Sequence, residues 1–146
     1  MSQDKYESIR LKNQMCFPLY ACSKEIVRRH KPYLDKLELT YTQYITMMVL
    51  WEKKEVTVKE LGKDLFLDSG TLTPLLKKLE SKGYVTRERM EHDERNLCVK
   101  ITKEGDELQE KALQVPEQMK GCISLKIEEA EQLKNILHKI LGEFQE

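Results

Sequence analysis

The stretch from Thr57 to Arg89 reads TVKELGKDLFLDSGTLTPLLKKLESKGYVTRER and decides the fold. Thr57 and Glu60 have the spacing of a capping box, which predicts that a short helix begins after Thr57. A second helix is predicted from about Ser69 to residue 82, and Gly83 follows it as a C-terminal cap. Its buried face is an apolar stripe with helical spacing, formed by Leu72, Leu75, Leu76 and Leu79.

The pattern changes after Gly83. Residues 84–89 and 97–101 are rich in β-branched and aromatic side chains, which predicts two strands, and the polar run 90–96 is expected to be a long hairpin loop. Two short helices followed by a charged hairpin occur in the order of a winged helix-turn-helix. The fold class is therefore predicted to be mainly α with a small β-hairpin wing.

This arrangement predicts a surface for double-stranded DNA. A recognition helix needs one face for packing and another that offers hydrogen-bonding groups to base edges. Arg95, expected at the wing tip, and Arg87 and Arg89 on the preceding strand would reach phosphates or the minor groove. The exposed face of the second helix is predicted to comprise Ser69, Thr71, Thr73, Lys77 and Lys78.

The winged helix-turn-helix, about residues 41–102, is expected to form one domain of 146 residues together with its flanking helices. One flanking helix is predicted to begin after Thr102 and to kink at Pro116. The last helix, 128–144, carries more Leu and Ile than a lone surface helix needs. Segments of about 1–40 and 103–146 are therefore expected to mediate dimerisation, which places two recognition helices on a pseudo-palindromic site.

Composition sets limits on the location and the partners. The formal net charge is zero, but residues 53–103 carry a net charge of +3 and residues 104–146 a net charge of −5. No stretch reaches the roughly 18 consecutive apolar residues of a membrane helix, and the polar start of the chain lacks a signal-peptide core, so a cytoplasmic protein is expected. The four cysteines include no CxxC pair, and neither a metal nor a cofactor is expected.

The chain resembles the MarR family of repressors over nearly its whole length. The resemblance rests on LTYTQYITMMVLWE (39–52), on residues 57–89 and on HDERNLCVKITKEG (92–105). It implies that Asp93 braces the wing, that Arg95 reaches DNA, and that the N- and C-terminal helices pair between two subunits.

Within that family, the segment NQMCFPLY (13–20) and Tyr41 resemble the OhrR subgroup, whose members sense organic hydroperoxides. The resemblance implies that Cys16 is the sensor and that two side chains of the partner subunit hydrogen-bond to its sulfur. Tyr41 matches one of these positions, whereas His30 occupies the position of the other expected tyrosine. Either His30 donates the hydrogen bond there, or Tyr33 nearby compensates. Tyr20, in the Cys16 segment, is a further candidate donor.

The sensor chemistry is also intelligible from the residues. A thiolate attacks a peroxide, so a sensor cysteine needs solvent access and an environment that favours negative charge. If a helix begins or restarts near Pro18, Cys16 lies at its positive end, which favours a thiolate by about 1 kcal/mol. The alternative is that Cys16 is a small buried apolar residue, the usual role of a free cysteine.

The other cysteines have different expected roles. Cys98 is expected to pack within its strand. Cys22 lies about 9 Å from Cys16 along one helix, beyond the reach of a disulfide. The subgroup implies that Cys122 forms an intersubunit disulfide with oxidised Cys16, whereas a small thiol is the other means of capping it.

The sequence leaves other functions open. The predicted function is a repressor that releases its operator when an organic hydroperoxide oxidises Cys16. A repressor controlled by a small aromatic ligand or a metal ion is the alternative within the same fold. A peroxide-reducing enzyme is disfavoured, because no general acid or recycling motif is visible.

Overall fold

A computed structural model describes residues 4–90 and 93–145, and it describes only the backbone of Met90 and residues 93–96. Most of the described chain is helical, with one small sheet. The helices are α1 (Cys16–Asp35), α2 (Tyr41–Lys53), α3 (Val58–Leu65), α4 (Ser69–Ser81), α5 (Lys103–Ala112), α6 (Gln114–Met119) and α7 (Ile127–Glu143), and the strands are β1 (Glu55–Thr57), β2 (Val85–Met90) and β3 (Asp93–Ile101). Two 3₁₀ turns, Glu7–Ile9 and Leu11–Asn13, precede α1.

The helix-turn-helix forms where the caps and the leucine stripe predict it. Thr57 caps α3 by accepting a hydrogen bond from the amide of Glu60 at 3.1 Å, while the reciprocal bond of a capping box is not among those of the described residues. The α4 helix begins at Ser69 and buries all four leucines of its stripe. The predicted pair of helices is confirmed, and their apolar faces converge on one core.

The wing differs from the prediction in two ways. It has three antiparallel strands in the order β1-β3-β2, and the three-residue β1 was not predicted because so short a segment carries no periodicity. The expectation of a long loop over 90–96 was wrong, because β3 already begins at Asp93 and pairs there with Met90. Arg95 therefore lies within β3 and not in a loop. Cross-strand hydrogen bonds outweigh the weak strand propensity of these polar residues.

The core joins the winged helix-turn-helix to the end of α1. Leu34 of α1, Met47 of α2 and Leu61 of α3 are almost completely buried in one cluster with the α4 leucines and Val99 of β3. A movement of α1 can therefore reach α4 through α2, which contacts both helices, because close-packed interiors transmit displacement.

The helix after Thr102 is divided, which corrects the prediction of a single helix kinked at Pro116. Thr102 caps α5 as expected, but α5 ends at Ala112 and α6 begins at Gln114. Pro116 is the third residue of α6 and has no N–H to donate to the preceding turn. Cys122 lies in a turn beyond α6, with its amide bonded to the carbonyl of Met119 at 3.0 Å.

The terminal segments leave a large apolar surface uncovered. None of the described residues of α7 is buried, although several of them are apolar. Ile127 and Ile136 are 79% and 56% exposed. Ile9 and Met15, before α1, are 75% and 77% exposed. Within the described ranges, the helices are too short or too polar to cross a membrane.

Gly105 joins α5 to α2 and to the start of the wing. Its carbonyl accepts a hydrogen bond from Trp51 Nε1 at 2.8 Å. A Cβ atom at this position would clash with the backbone carbonyl oxygen of Tyr84 and lie 3.0 Å from the Ile101 side chain.

We expect Gly105→Ala to lower the free energy of unfolding by about 1–3 kcal/mol, since overpacking against backbone forces the two elements apart. Urea unfolding followed by circular dichroism measures this loss. The control is Gly142→Ala in α7, where a Cβ meets nothing within 4 Å and stability should not fall. Equal stabilities of the two variants would show that the contact between α5 and the wing tolerates expansion.

Candidate thiol site and nucleic-acid interface

Cys16 is an exposed thiol at the beginning of a helix. It is the first residue of α1, and Pro18 lies in the same turn, so the helix starts where the proline pattern predicts. The first backbone amides of a helix have no intrahelical acceptor, and the aligned peptide dipoles make this end positive. The Cys16 thiol therefore lies at the positive end of α1 and is open to a dissolved oxidant.

The predicted hydrogen-bonding partners of the sulfur separate into two groups. Tyr20 is exposed and lies one helical turn after Cys16. His30 and Tyr41 lie together, with ring centroids 5.0 Å apart, and His30 Nδ1 is 2.8 Å from the carbonyl oxygen of Ile26. Because 14 residues of α1 span about 21 Å, His30 and Tyr41 are remote from the Cys16 of their own chain.

Cys122 is also remote from Cys16 within one chain. It is partly buried, and its carbonyl oxygen accepts a hydrogen bond from Arg29 Nη1 at 3.2 Å. Arg29 follows Cys16 by 13 residues on α1, which corresponds to about 20 Å of helix. A disulfide requires Cα atoms within about 7 Å, so one chain cannot join Cys16 to Cys122 in this conformation.

The remaining thiols have contrasting environments. Cys98 is buried in β3, and its Sγ donates to Glu55 Oε1 at 3.1 Å. Burial first, and then the neighbouring Glu55 carboxylate, raise the pKa of Cys98 to about 11, so this group stays a protonated, unreactive thiol at neutral pH. Cys22 is exposed in the middle of α1, away from the positive helix end. No cluster of three or more metal-ligating His, Cys, Asp or Glu occurs among the described residues.

The outer face of α4 is exposed as predicted, but two of its hydroxyl protons are already used. Thr71 donates to the Asp68 carboxylate, which lowers the pKa of Asp68, and Thr73 donates to the carbonyl of Ser69 at 2.8 Å. Their oxygen lone pairs remain available, so this end of α4 presents acceptors. Ser69, Lys77 and Lys78 are exposed on the same helix.

Arg87 differs from the expectation that it faces DNA. Its side chain is only 19% exposed, and Nη2 donates to Glu80 Oε1 of α4 at 3.1 Å. This bond lowers the pKa of Glu80. Arg87 Nε is buried without a hydrogen-bond partner among the described residues. The ion pair between Arg87 and Glu80 therefore links β2 of the wing to α4, because the two opposite charges lie within hydrogen-bond distance.

The remaining predicted wing residues are Arg89, Asp93 and Arg95. Arg89 is exposed on β2. Asp93 and Arg95 belong to β3 by their backbone, whereas their side chains lie outside the described part of the chain.

Sequence reasoning missed three residues that shape these sites. Asp68 accepts a hydrogen bond from Thr71, Glu80 accepts one from Arg87, and Arg29 donates one to the carbonyl of Cys122. The first pair has a local signal, since Asp is a preferred residue directly before a helix start, as Asp68 is at the N-cap of α4. The Arg29 contact spans 93 positions and has no local signal.

Comparison with known proteins identifies the family. The family model described as transcriptional regulator SarA/Rot matches residues 28–112. The organic hydroperoxide resistance transcriptional regulator of Bacillus subtilis is 45% identical over 139 residues, 95% of each chain. The structure of reduced AbfR bound to DNA has 34% identity and a TM-score of 0.78, covering 98% of this chain and 100% of that one; AbfR of Staphylococcus epidermidis has also been solved in a disulfide form.

A mutant MarR from E. coli in complex with operator DNA is 26% identical, with a TM-score of 0.77 over 95% of this chain and 99% of that one. The predicted resemblance and the winged helix-turn-helix fold are thereby confirmed. This chain belongs to the MarR/SarA family of DNA-binding transcriptional regulators.

Proposed function

We propose that this protein is a repressor that senses organic hydroperoxides by oxidation of Cys16 and then releases its operator. The observation that carries the proposal is the exposed position of Cys16 as the first residue of α1. The names of the Bacillus subtilis relative and of the AbfR structures support it, because they join hydroperoxide resistance, DNA binding and thiol oxidation in one family.

The working unit of this proposal is a homodimer in the cytoplasm, bound to a pseudo-palindromic DNA site. The exposed apolar side chains of α7 and of the segment before α1 supply the area that a subunit interface needs. Residues of about 1–40 and 103–146 would form this interface, and residues of about 41–102 would bind DNA. The partner subunit then supplies the groups that Cys16 lacks in its own chain, His30 and Tyr41.

The first chemical step oxidises one thiolate and reduces one peroxide. The Cys16 thiolate attacks an oxygen of the hydroperoxide, the O–O bond breaks, and an alcohol leaves after it takes up a proton. Cys16 becomes a sulfenic acid, oxidised by two electrons. A tyrosine hydroxyl or the His30 ring within reach of the sulfur would stabilise the thiolate by a hydrogen bond before this step. Oxidation of the sulfur would remove the thiolate that accepts this bond.

The second step forms the intersubunit disulfide. Cys122 of the partner subunit attacks the sulfenic sulfur, the S–S bond forms, the S–O bond breaks, and the oxygen leaves as water. The separation of about 20 Å along α1 favours this route over a bond within one chain. The disulfide draws α1 against the partner, and Leu34 in the core transmits the change to α4. The two recognition helices then lose the spacing of successive major-groove sites.

A gel-shift experiment tests this function. The reduced protein is used to select duplexes from a random library, and a selected duplex is then titrated with protein before and after treatment with cumene hydroperoxide. We expect the treated protein to bind weakly and dithiothreitol to restore binding. Unchanged binding after quantitative loss of the Cys16 thiol would contradict the proposal and leave control by a small aromatic ligand or a metal ion as the alternative.

Two DNA-facing positions should respond differently. Arg95→Ala should weaken binding to all duplexes, because it removes a cation that contacts phosphate or the minor groove.

Thr71→Ala should lower the preference for selected over random duplexes, by about 1 kcal/mol or more, because it removes a base-edge acceptor. Competition gel shifts measure both effects, with Arg28→Ala on α1 as the control for loss of one positive charge. Equal losses on selected and random DNA for Thr71→Ala would exclude base reading.

A further inference from the structure

One long-range hydrogen bond attaches the Cys122 segment to α1. Arg29 Nη1 donates to the backbone carbonyl of Cys122 at 3.2 Å. Among the hydrogen bonds of the described residues, it is the one that links α1 to residues 120–126. On its other side, Cys122 is held by the turn bond from its amide to Met119 at 3.0 Å. The backbone on both sides of the Cys122 side chain is therefore anchored.

The apolar neighbours of this segment line an open groove. Ile26, one turn before Arg29, faces Ile123 and Leu125 across an open groove of about 780 Å³. Apolar contacts are non-directional, so they do not by themselves fix one position of the backbone along the helix. The hydrogen bond from Arg29 is directional, so it gives the Cys122 backbone a defined position on α1.

We infer that Arg29 is a positioning residue for the disulfide step, because it holds the Cys122 segment where the thiol meets oxidised Cys16 of the partner subunit. The inference rests on the proposed function. Disulfide formation needs the two Cα atoms within about 7 Å, and a fixed nucleophile reacts faster than a mobile one. The Arg29 guanidinium is engaged with the Cys122 carbonyl, so its role falls in the step in which Cys122 reacts and not in the oxidation of Cys16.

The neighbouring arginine provides a matched control. Arg28 is exposed and pairs with Glu25 on its own helix at 2.8 Å, and it makes no hydrogen bond to residues 120–126 among those described. Arg28→Gln and Arg29→Gln remove the same charge from adjacent positions. A difference between the two variants therefore reports the contact and not the charge.

The experiment follows the two steps separately in the full dimer. Cumene hydroperoxide is added in excess, samples are quenched with an alkylating agent, and mass spectrometry gives the loss of the Cys16 thiol while non-reducing gels give the disulfide. We expect Arg29→Gln to lose the Cys16 thiol at the parental rate but to form the disulfide roughly fivefold more slowly, the equivalent of one hydrogen bond. More Cys16 should reach the sulfinic acid, because the sulfenic acid persists.

Further readouts separate positioning from general loosening. Arg29→Lys should restore part of the disulfide rate, and Arg28→Gln should match the parent in both steps. Hydrogen exchange of residues 120–125 should rise in Arg29→Gln only. A parental disulfide rate in Arg29→Gln, or an equal loss in Arg28→Gln, would overturn the role of Arg29. If the parent forms no disulfide yet releases DNA through Cys16, the positioning role fails while the sensor stands.

Discussion

Cys16→Ser should bind DNA as the parent does and remain bound after treatment with organic hydroperoxide. Serine is nearly isosteric with cysteine and preserves the first turn of α1, but its hydroxyl cannot attack the peroxide. For the parent we expect oxidation to weaken operator binding by roughly 10- to 100-fold, the range of a typical coupling free energy. Gel shifts before and after addition of cumene hydroperoxide measure both proteins.

The chain offers a matched control for this variant. Cys22 is exposed on the same helix but lies away from its positive end, so Cys22→Ser should respond to peroxide like the parent. Cys122→Ser should still lose the Cys16 thiol but form no covalent dimer on a non-reducing gel. If Cys16→Ser is released as readily as the parent, Cys16 is not the sensor. If the parent releases DNA without a covalent dimer, a small thiol caps Cys16 and Cys122 only packs.

Ile136→Glu should convert the protein into a monomer with at least roughly 100-fold weaker operator binding, because one chain contacts a single half-site and loses the advantage of bivalent binding. Ile136 is 56% exposed on α7 within the chain. A carboxylate placed there would be buried without a partner in the proposed interface. Sedimentation velocity at micromolar concentration gives the oligomeric state, and gel shifts give the affinity.

The neighbouring residue serves as the control. Asn135→Glu adds the same charge to the same helix at an exposed polar position and should leave the dimer intact. Thermal unfolding of both variants, followed by circular dichroism, separates loss of the dimer from unfolding of the subunit. A parent that sediments as a folded monomer, or an Ile136→Glu protein that stays dimeric with parental affinity, would contradict the proposed interface.

The sequence by itself determined the helical framework, because its signals are local. The cap at Thr57, the leucine stripe of α4 and the cap at Thr102 each act within one or two helical turns, and all three lie where they were predicted. Pro18 likewise marks the first turn of α1, so the place of Cys16 at a helix start followed from residues next to it. These features need no knowledge of the remaining chain.

Only the tertiary structure decided the features that depend on distant partners. Pairing with β3 makes a strand of residues 55–57, and Glu80 of α4 draws Arg87 away from the DNA-facing surface. The bond between Arg29 and Cys122 joins positions 93 residues apart. The physical reason is that such contacts depend on which surfaces the core brings together, whereas a cap or an apolar stripe depends on neighbouring residues alone.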